Sequence, residues 1–201
     1  MFRNLFNPES PLMITMTQIT DCIFLSLFWI LGCFPVVTVT VSGAALYDAA
    51  YRLWRKGERH PWQRFAHVFK TNWKAGILPG LVYLAVLGLG AKGLISVWNA
   101  AVYGEISWML FSAAALVGVL VLGILSVMPP MLSRFENSVS GLMKNTVLLS
   151  LANLPRTLAL GALNALSAAL CIRFIFPVFF LPALSALISS LLIEPMFRPY
   201  L

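Results

Sequence analysis

Long runs of apolar residues dominate the chain, and their lengths predict its secondary structure. A helix needs about 20 apolar residues to cross the roughly 30 Å of bilayer hydrocarbon. Five segments meet this requirement, and they lack the alternation expected of the shorter membrane β-strands. The predicted spans are residues 17–41, 77–98, 106–128, 154–172 and 174–193. We therefore expect an all-α polytopic membrane protein that forms a single membrane domain over residues 1–201.

The segment between the first two spans, PWQRFAHVFKTNWKAG, combines aromatic and basic residues at helical spacing. At 100° per residue, its aromatic side chains share a stripe about 100° wide and its cations lie opposite. Such a helix, predicted over residues 61–75, lies in the membrane interface, where anionic lipids attract its cations. The alternative is the same helix packed on the protein's own spans. The residues expected to contact lipid are Trp62, Arg64, Phe65, Phe69, Lys70, Trp73 and Lys74.

Two more segments outside the spans are predicted to form amphipathic helices at the membrane surface, over residues 43–57 and 131–150. The second has apolar side chains on one face and polar side chains on the other, as expected of a helix that lies between membrane and water. Its polar and aromatic residues are candidates for contact with a partner protein. They are Arg134, Phe135, Asn137, Lys144 and Asn145.

Composition excludes a soluble globular domain. The chain is 60% hydrophobic and only 10% charged, whereas soluble domains are close to half apolar and a quarter charged. A soluble protein of 201 residues could not bury this much apolar surface. The net charge of +7 is compatible with nucleic-acid binding, but basic loops beside membrane spans explain it better. We expect no nucleic-acid partner.

The positive charge is concentrated, and this predicts an orientation. Seven of the 14 lysine and arginine residues lie between Arg52 and Lys74. The loop after the third predicted span carries further basic residues, including Arg134 and Lys144. Loops rich in lysine and arginine stay in the cytoplasm. With five spans in the cell membrane, the N-terminus is then expected outside and the C-terminus inside.

One acidic residue lies within the first predicted span. Asp21 is a functional candidate, because ionisable groups at membrane depth are rare and often mark a site. The alternative is a residue near the start of its helix, at the outer surface. Thr17 and Thr20 favour this alternative, since threonine is common at helix starts.

Pro35 and the pair formed by Asp48 and Arg52 are the other candidate polar or hinge positions. Pro35 lies deep in the first span, where proline kinks or ends a helix. A simple kink and a broken helix at a binding site are both compatible with it. Asp48 and Arg52 are four residues apart, so they can pair on one face of a helix.

No catalytic or metal-binding pattern is present in the sequence. The chain lacks the GxSxG, HExxH and Walker signatures. His60 and His67 have no further ligands beside them, and the three cysteines lie in apolar sequence as expected of buried thiols. We therefore expect no enzymatic activity and no cofactor.

Several stretches together resemble one family, the YesL-like integral membrane proteins of Gram-positive bacteria. They are LFNPESPLM, CFPVVT, GAALYDAAYRLWRKGE, FKTNWKAG, PPMLSRFENS and MKNTVLLSLANLPRTL. The chain departs from the family at TVTVSG, where members commonly show TIGAS. The resemblance implies five spans and genes that accompany sugar-uptake transporters and glycoside-cleaving enzymes. It implies no particular biochemical activity.

These observations give two expectations for function. The first is a non-catalytic accessory or regulatory component of carbohydrate uptake, embedded among anionic lipids and associated with a sugar ABC transporter or with copies of itself. The second is a small oligomeric transporter or channel that uses Pro35 and Asp21 in its path.

Overall fold

A computed structural model describes residues 11–58, 60–135 and 138–197, and of residues 11–15 only the backbone. The chain is helical throughout these ranges, which confirms the all-α prediction. The α-helices are α1 (Pro11–Gly32), α2 (Val39–Lys56), α3 (Pro61–Val102), α4 (Trp108–Arg134), α5 (Val139–Ala152), α6 (Leu154–Arg173) and α7 (Leu181–Phe197). Short 3-10 helices at Val36–Thr38 and Phe176–Phe179 connect α1 to α2 and α6 to α7.

Three helices, α3, α4 and α6, are long and apolar enough to cross a membrane, so the prediction of five such spans is wrong for the described residues. Two of the predicted spans correspond to shorter helices in the structure. The first, residues 17–41, is divided between α1 and α2. The last, residues 174–193, begins with a 3-10 turn, and α7 retains only 17 residues.

The interruption of the first predicted span lies at Pro35. α1 ends at Gly32, and Pro35, which cannot donate a backbone hydrogen bond, stands in the connection to α2. The Thr38 hydroxyl lies 2.5 Å from the Gly32 carbonyl oxygen and 2.6 Å from that of Pro35, close enough to bond either one. The segment is therefore a turn between two helices, and the simple kink is wrong.

α1 and α2 form an antiparallel hairpin. The Ser42 hydroxyl donates to the Trp29 carbonyl at 3.0 Å, and the Trp54 indole N–H donates to the Cys22 sulfur at 3.3 Å. The Cys22 end of α1 and the Arg-rich turn after α2 therefore lie at the same end of the bundle, which we call the basic end. A single span over residues 17–41 would have separated them.

α2 is the central helix of the protein and packs against α1, α3, α4 and α7. The prediction of a surface helix over residues 43–57 is therefore wrong. Its 11 buried residues include small ones such as Ala44, Ala45, Ala49 and Ala50. Small side chains allow neighbouring helices to approach from several sides, and this explains how α2 fits among four others.

The predicted interfacial helix 61–75 and the second predicted span 77–98 form one helix of 42 residues, α3. At 1.5 Å per residue it is about 63 Å long, twice the thickness of the hydrocarbon. Pro79 lies within it and removes one backbone hydrogen bond. The part before Pro79 carries the basic residues, and the part after it is largely apolar.

Glycines set the closest approaches between helices. Gly80 of α3 lies against the backbone carbonyl of Val37, so any larger residue would collide with it. Gly123 of α4 and Gly161 of α6 are each packed against a backbone carbonyl of the other helix. Paired small residues of this kind are typical of helix contacts in membranes.

Large apolar side chains are exposed along several helices. Leu89 of α3 is 73% exposed and Met109 of α4 is 81% exposed, and Ile172 of α6 is also largely exposed. So many exposed large apolar side chains are unfavourable in water. It supports the membrane location predicted from composition.

Candidate functional site

A buried carboxylate organises the basic end of the bundle. Asp48 of α2 is fully buried and lies among three guanidinium groups. Its Oδ2 is 3.0 Å from Arg52 Nε and 2.5 Å from Arg64 Nε, and its Oδ1 is 3.9 Å from Arg134 Nε. The predicted pair of Asp48 and Arg52 is confirmed. The other two arginines come from α3 and α4, so one carboxylate connects three helices.

Further charged and aromatic groups surround these four residues. Arg134 Nη2 is 2.7 Å from Glu194 Oε1 of α7, and the Tyr47 hydroxyl donates to the same oxygen at 3.1 Å. Arg52 Nη1 pairs with Glu58 at 3.0 Å. Arg134 also lies over the ring of Tyr51. We call this group the Asp48 cluster: Tyr47, Asp48, Tyr51, Arg52, Glu58, Arg64, Arg134 and Glu194.

The cluster is electrically balanced. Its three arginines face three carboxylates, those of Asp48, Glu58 and Glu194. A buried charge without a partner is costly, whereas a neutral network with good geometry is tolerated. Burial, reinforced by the Glu194 carboxylate, raises the pKa of Tyr47 above its ordinary range. The hydroxyl therefore keeps its proton and remains a donor to Glu194.

The structure corrects two of the candidate partner-facing residues. The Arg134 side chain is only 16% exposed and points into the cluster. Phe135 packs on Phe197, with ring centroids 5.4 Å apart. Both are inward-facing because α4 continues to Arg134 before the predicted second surface helix starts, as α5, at Val139. Lys144 and Asn145 of α5 are exposed, and Asn137 lies outside the described residues.

The basic and aromatic helix divides into an inner and an outer side. Arg64 was predicted to contact lipid, but its side chain pairs with Asp48. Phe65 is buried against Phe28 of α1, with ring centroids 6.0 Å apart, and Phe69 is partly buried in the same cluster. For Phe65 and Phe69, the alternative prediction is therefore correct: this part of the helix packs on the protein's own helices. The residues left on the exposed side are Trp62, Lys70, Trp73 and Lys74.

Asp21 does not lie at a helix start. α1 begins at Pro11, so Asp21 is in its interior, and the helix-start interpretation is wrong. The Thr20 hydroxyl bonds the Met16 carbonyl one turn back instead of capping the helix. Asp21 precedes Cys22, the partner of Trp54, and so lies toward the basic end. Within the described ranges, no three His, Cys, Asp or Glu side chains are grouped to hold a metal ion.

A cavity of about 500 Å³ lies beside the Asp48 cluster. Six α-helices contribute to its wall, and Val39, the first residue of α2 after the Pro35 turn, is one of the lining residues. Tyr47 lines the cavity and also belongs to the cluster, so the two features share a residue. The polar residues in the wall are Tyr47, Tyr83, Ser126, Asn164, Ser167, Ser185 and Ser189.

Sequence reasoning missed these wall residues. Single serines are common in apolar helices and give no distinctive spacing. The one available signal was Asn164, an amide within a predicted span. In the structure its side chain donates to the Ser126 hydroxyl at 3.0 Å, across the contact between α4 and α6.

Residues 22–91 match the family described as "Protein of unknown function, DUF624". This range is about a third of the chain, and it includes α2 and most of α3. It therefore contains Asp48, Arg52 and Arg64, but not Arg134 or Glu194. No curated protein and no solved structure gives a significant match to the chain.

Proposed function

We propose that the protein is a multi-pass membrane protein that acts without catalysis, as an accessory or regulatory component of carbohydrate uptake. The observation that carries this proposal is the Asp48 cluster, in which paired charges from four helices surround one buried carboxylate and hold the basic end together. Charges committed to internal pairs favour a structural role over chemistry on a substrate. The carbohydrate context rests on the resemblance of several motifs to the YesL-like proteins.

The basic end is proposed to face the cytoplasm. Arg55 and Lys56 are exposed at this end, Lys70 and Lys74 are exposed further along α3, and the positive-inside rule favours this side. The contact between Cys22 and Trp54 supports placing the N-terminal half of α1 on the same side. This orientation replaces the external N-terminus expected from five spans, because α1 and α2 form a hairpin instead of one span. Reporter fusions at the N-terminus and after Lys56 should then both report a cytoplasmic position. Opposite positions would contradict this orientation.

The exposed side of α5 is the proposed contact with the transporter. Lys144 and Asn145 are exposed polar residues on a helix that packs against α4, near the Asp48 cluster. They lie beside the exposed apolar side chains of Val147 and Leu148, and a surface that combines polar and apolar groups is suited to a partner protein.

Site-specific photocrosslinking tests this contact in living cells. A photoreactive amino acid at Asn145 should crosslink to a permease subunit of a co-expressed sugar ABC transporter. The matched control is the same residue at Leu89, which is 73% exposed on the apolar part of α3 and should crosslink only to lipid. If Asn145 crosslinks only to another copy of this chain, the accessory role is refuted.

A second candidate function is a small oligomeric transporter. The observation that favours it is the turn at Pro35, which leads directly to Val39 in the cavity wall. Broken helices beside a cavity are common at transport sites. Proteoliposomes that take up labelled sugar faster than empty vesicles would support it, and equal rates would refute it.

A further inference from the structure

We propose that the cavity between the six helices binds a neutral amphiphile, a molecule with an apolar body and at least one hydroxyl group, such as a long-chain alcohol. The volume of about 500 Å³ falls within the range of small-molecule sites, roughly 300–1,000 Å³. This proposal goes beyond the accessory role and does not depend on it, because it rests on the wall of the cavity alone.

The wall is mainly apolar. Thirteen of its 20 residues are apolar side chains or glycine, including Trp29, Leu87, Leu122 and Val178. A free sugar carries a hydroxyl on most carbons, and many of these would be buried against the apolar majority of the wall without a hydrogen bond. The greater part of the ligand must therefore be apolar.

The wall carries no charged side chain. The nearest ionic groups, Glu194 and Arg134, already pair with each other at 2.7 Å behind Tyr47. A carboxylate or phosphate inside the cavity would therefore lose its hydration and gain no counter-ion, which is strongly unfavourable. The ligand must be neutral.

The polar groups of the wall can bond a ligand hydroxyl, and those of Asn164 and Ser126 favour a ligand that donates. Asn164 donates its amide N–H groups to Ser126 Oγ at 3.0 Å and to the Leu160 carbonyl at 2.9 Å. Ser126 in turn donates to the Leu122 carbonyl. These bonds use the donors of Asn164 and Ser126 and leave Asn164 Oδ1 as an acceptor, while the hydroxyls of Tyr83, Ser167 and Ser189 can donate to the oxygen of a ligand hydroxyl or accept from it. Pro130 lacks the N–H that would normally bond the Ser126 carbonyl, so this carbonyl is without its usual partner in the helix.

A photoreactive probe tests the site in proteoliposomes. The probe is a 16-carbon alcohol that carries a diazirine and a terminal alkyne, and the matched probe has the same chain ending in a sulfonate. The alcohol should label wall residues of α4, α6 and α7, and excess hexadecanol should compete. The sulfonate should label only lipid-facing positions such as Leu89. Glucose should not compete.

Two substitutions on α6 separate the cavity from the surrounding lipid. Both Ala168 and Ala169 are exposed, but only Ala168 belongs to the wall of the cavity. A168F should reduce labelling of the wall by the alcohol about tenfold or more, and A169F should leave it unchanged. N164L removes the proposed acceptor and should reduce labelling about fivefold, the value of one ordinary hydrogen bond.

Three results would overturn the proposal. They are equal labelling of the wall by both probes, wall labelling that A168F does not reduce, and competition by glucose instead of hexadecanol. If A168F does not fold, S185L narrows the same wall from α7 and should reduce labelling as well. Unchanged labelling in folded S185L would then refute the site.

Discussion

Replacing Asp48 with asparagine should destabilise the protein strongly. Asparagine keeps the size of the side chain and one acceptor, so the substitution removes mainly the charge. Three arginines then face only two carboxylates. Removing one partner of a buried ion pair costs about 3–5 kcal/mol. Arg52 and Arg64 retain 25% and 29% of their side-chain exposure, and the resulting solvent screening favours the lower value, about 3 kcal/mol.

This loss can be measured as a change in unfolding temperature in detergent micelles, followed by intrinsic tryptophan fluorescence. For a chain of about 200 residues, 1 kcal/mol corresponds to about 2–4 °C, so D48N should melt about 6–12 °C below wild type. D21N is the matched control. It makes the same change at a partly exposed site in α1 and should shift the unfolding temperature by no more than about 2 °C.

A double substitution tests whether charge balance is the cause. R64Q removes one of the three cations around Asp48. In D48N/R64Q, two arginines of the cluster again face two carboxylates. The double variant should therefore be more stable than the sum of the two single losses predicts, by about 1 kcal/mol. If D48N melts within 2 °C of wild type, or if D21N loses as much stability, the central role of Asp48 is refuted.

Two further predictions concern helix packing and lipid contact. G161A should lower stability by about 1–3 kcal/mol, because the added methyl group meets a carbonyl of α4. Its control is G90A, where the same group meets open space; equal thermal shifts would contradict the reasoning. K70Q/K74Q should weaken the preference for phosphatidylglycerol over phosphatidylcholine about tenfold or more, as measured by mass spectrometry of co-purified lipid. K92Q should not, and an unchanged lipid ratio in the double variant would argue against the proposed lipid-facing side.

The sequence predicted best where a local property determines the structure. The apolar stretches of α3, α4 and α6 were recognisable because length and composition are enough to identify a span. The pair of Asp48 and Arg52 was recognisable because both residues lie on one helix, one turn apart. These features require no knowledge of the tertiary structure.

Long-range contacts could not be predicted from the sequence. Arg134 and Glu194 lie far from Asp48 in the chain, and only the packing of α2, α4 and α7 brings them together. The burial of α2 could not be predicted either, because its mixture of small and polar residues is also compatible with a helix at the membrane surface. Pro35 alone was compatible with both a kink and a turn. In the structure, the Thr38 hydroxyl lies within hydrogen-bond distance of the Gly32 and Pro35 carbonyls in the turn.

The order of the cluster along the chain has a consequence for biosynthesis. Asp48, Arg52 and Arg64 leave the ribosome early and can neutralise one another within the α2–α3 hairpin. Arg134 emerges later, and its short ion pair must wait for Glu194 near the end of α7. In a nascent chain, Arg134 therefore lacks its Glu194 partner until α7 packs against the other helices. Chains stalled before that point would present an unsatisfied arginine to the proteases that survey unfinished membrane proteins.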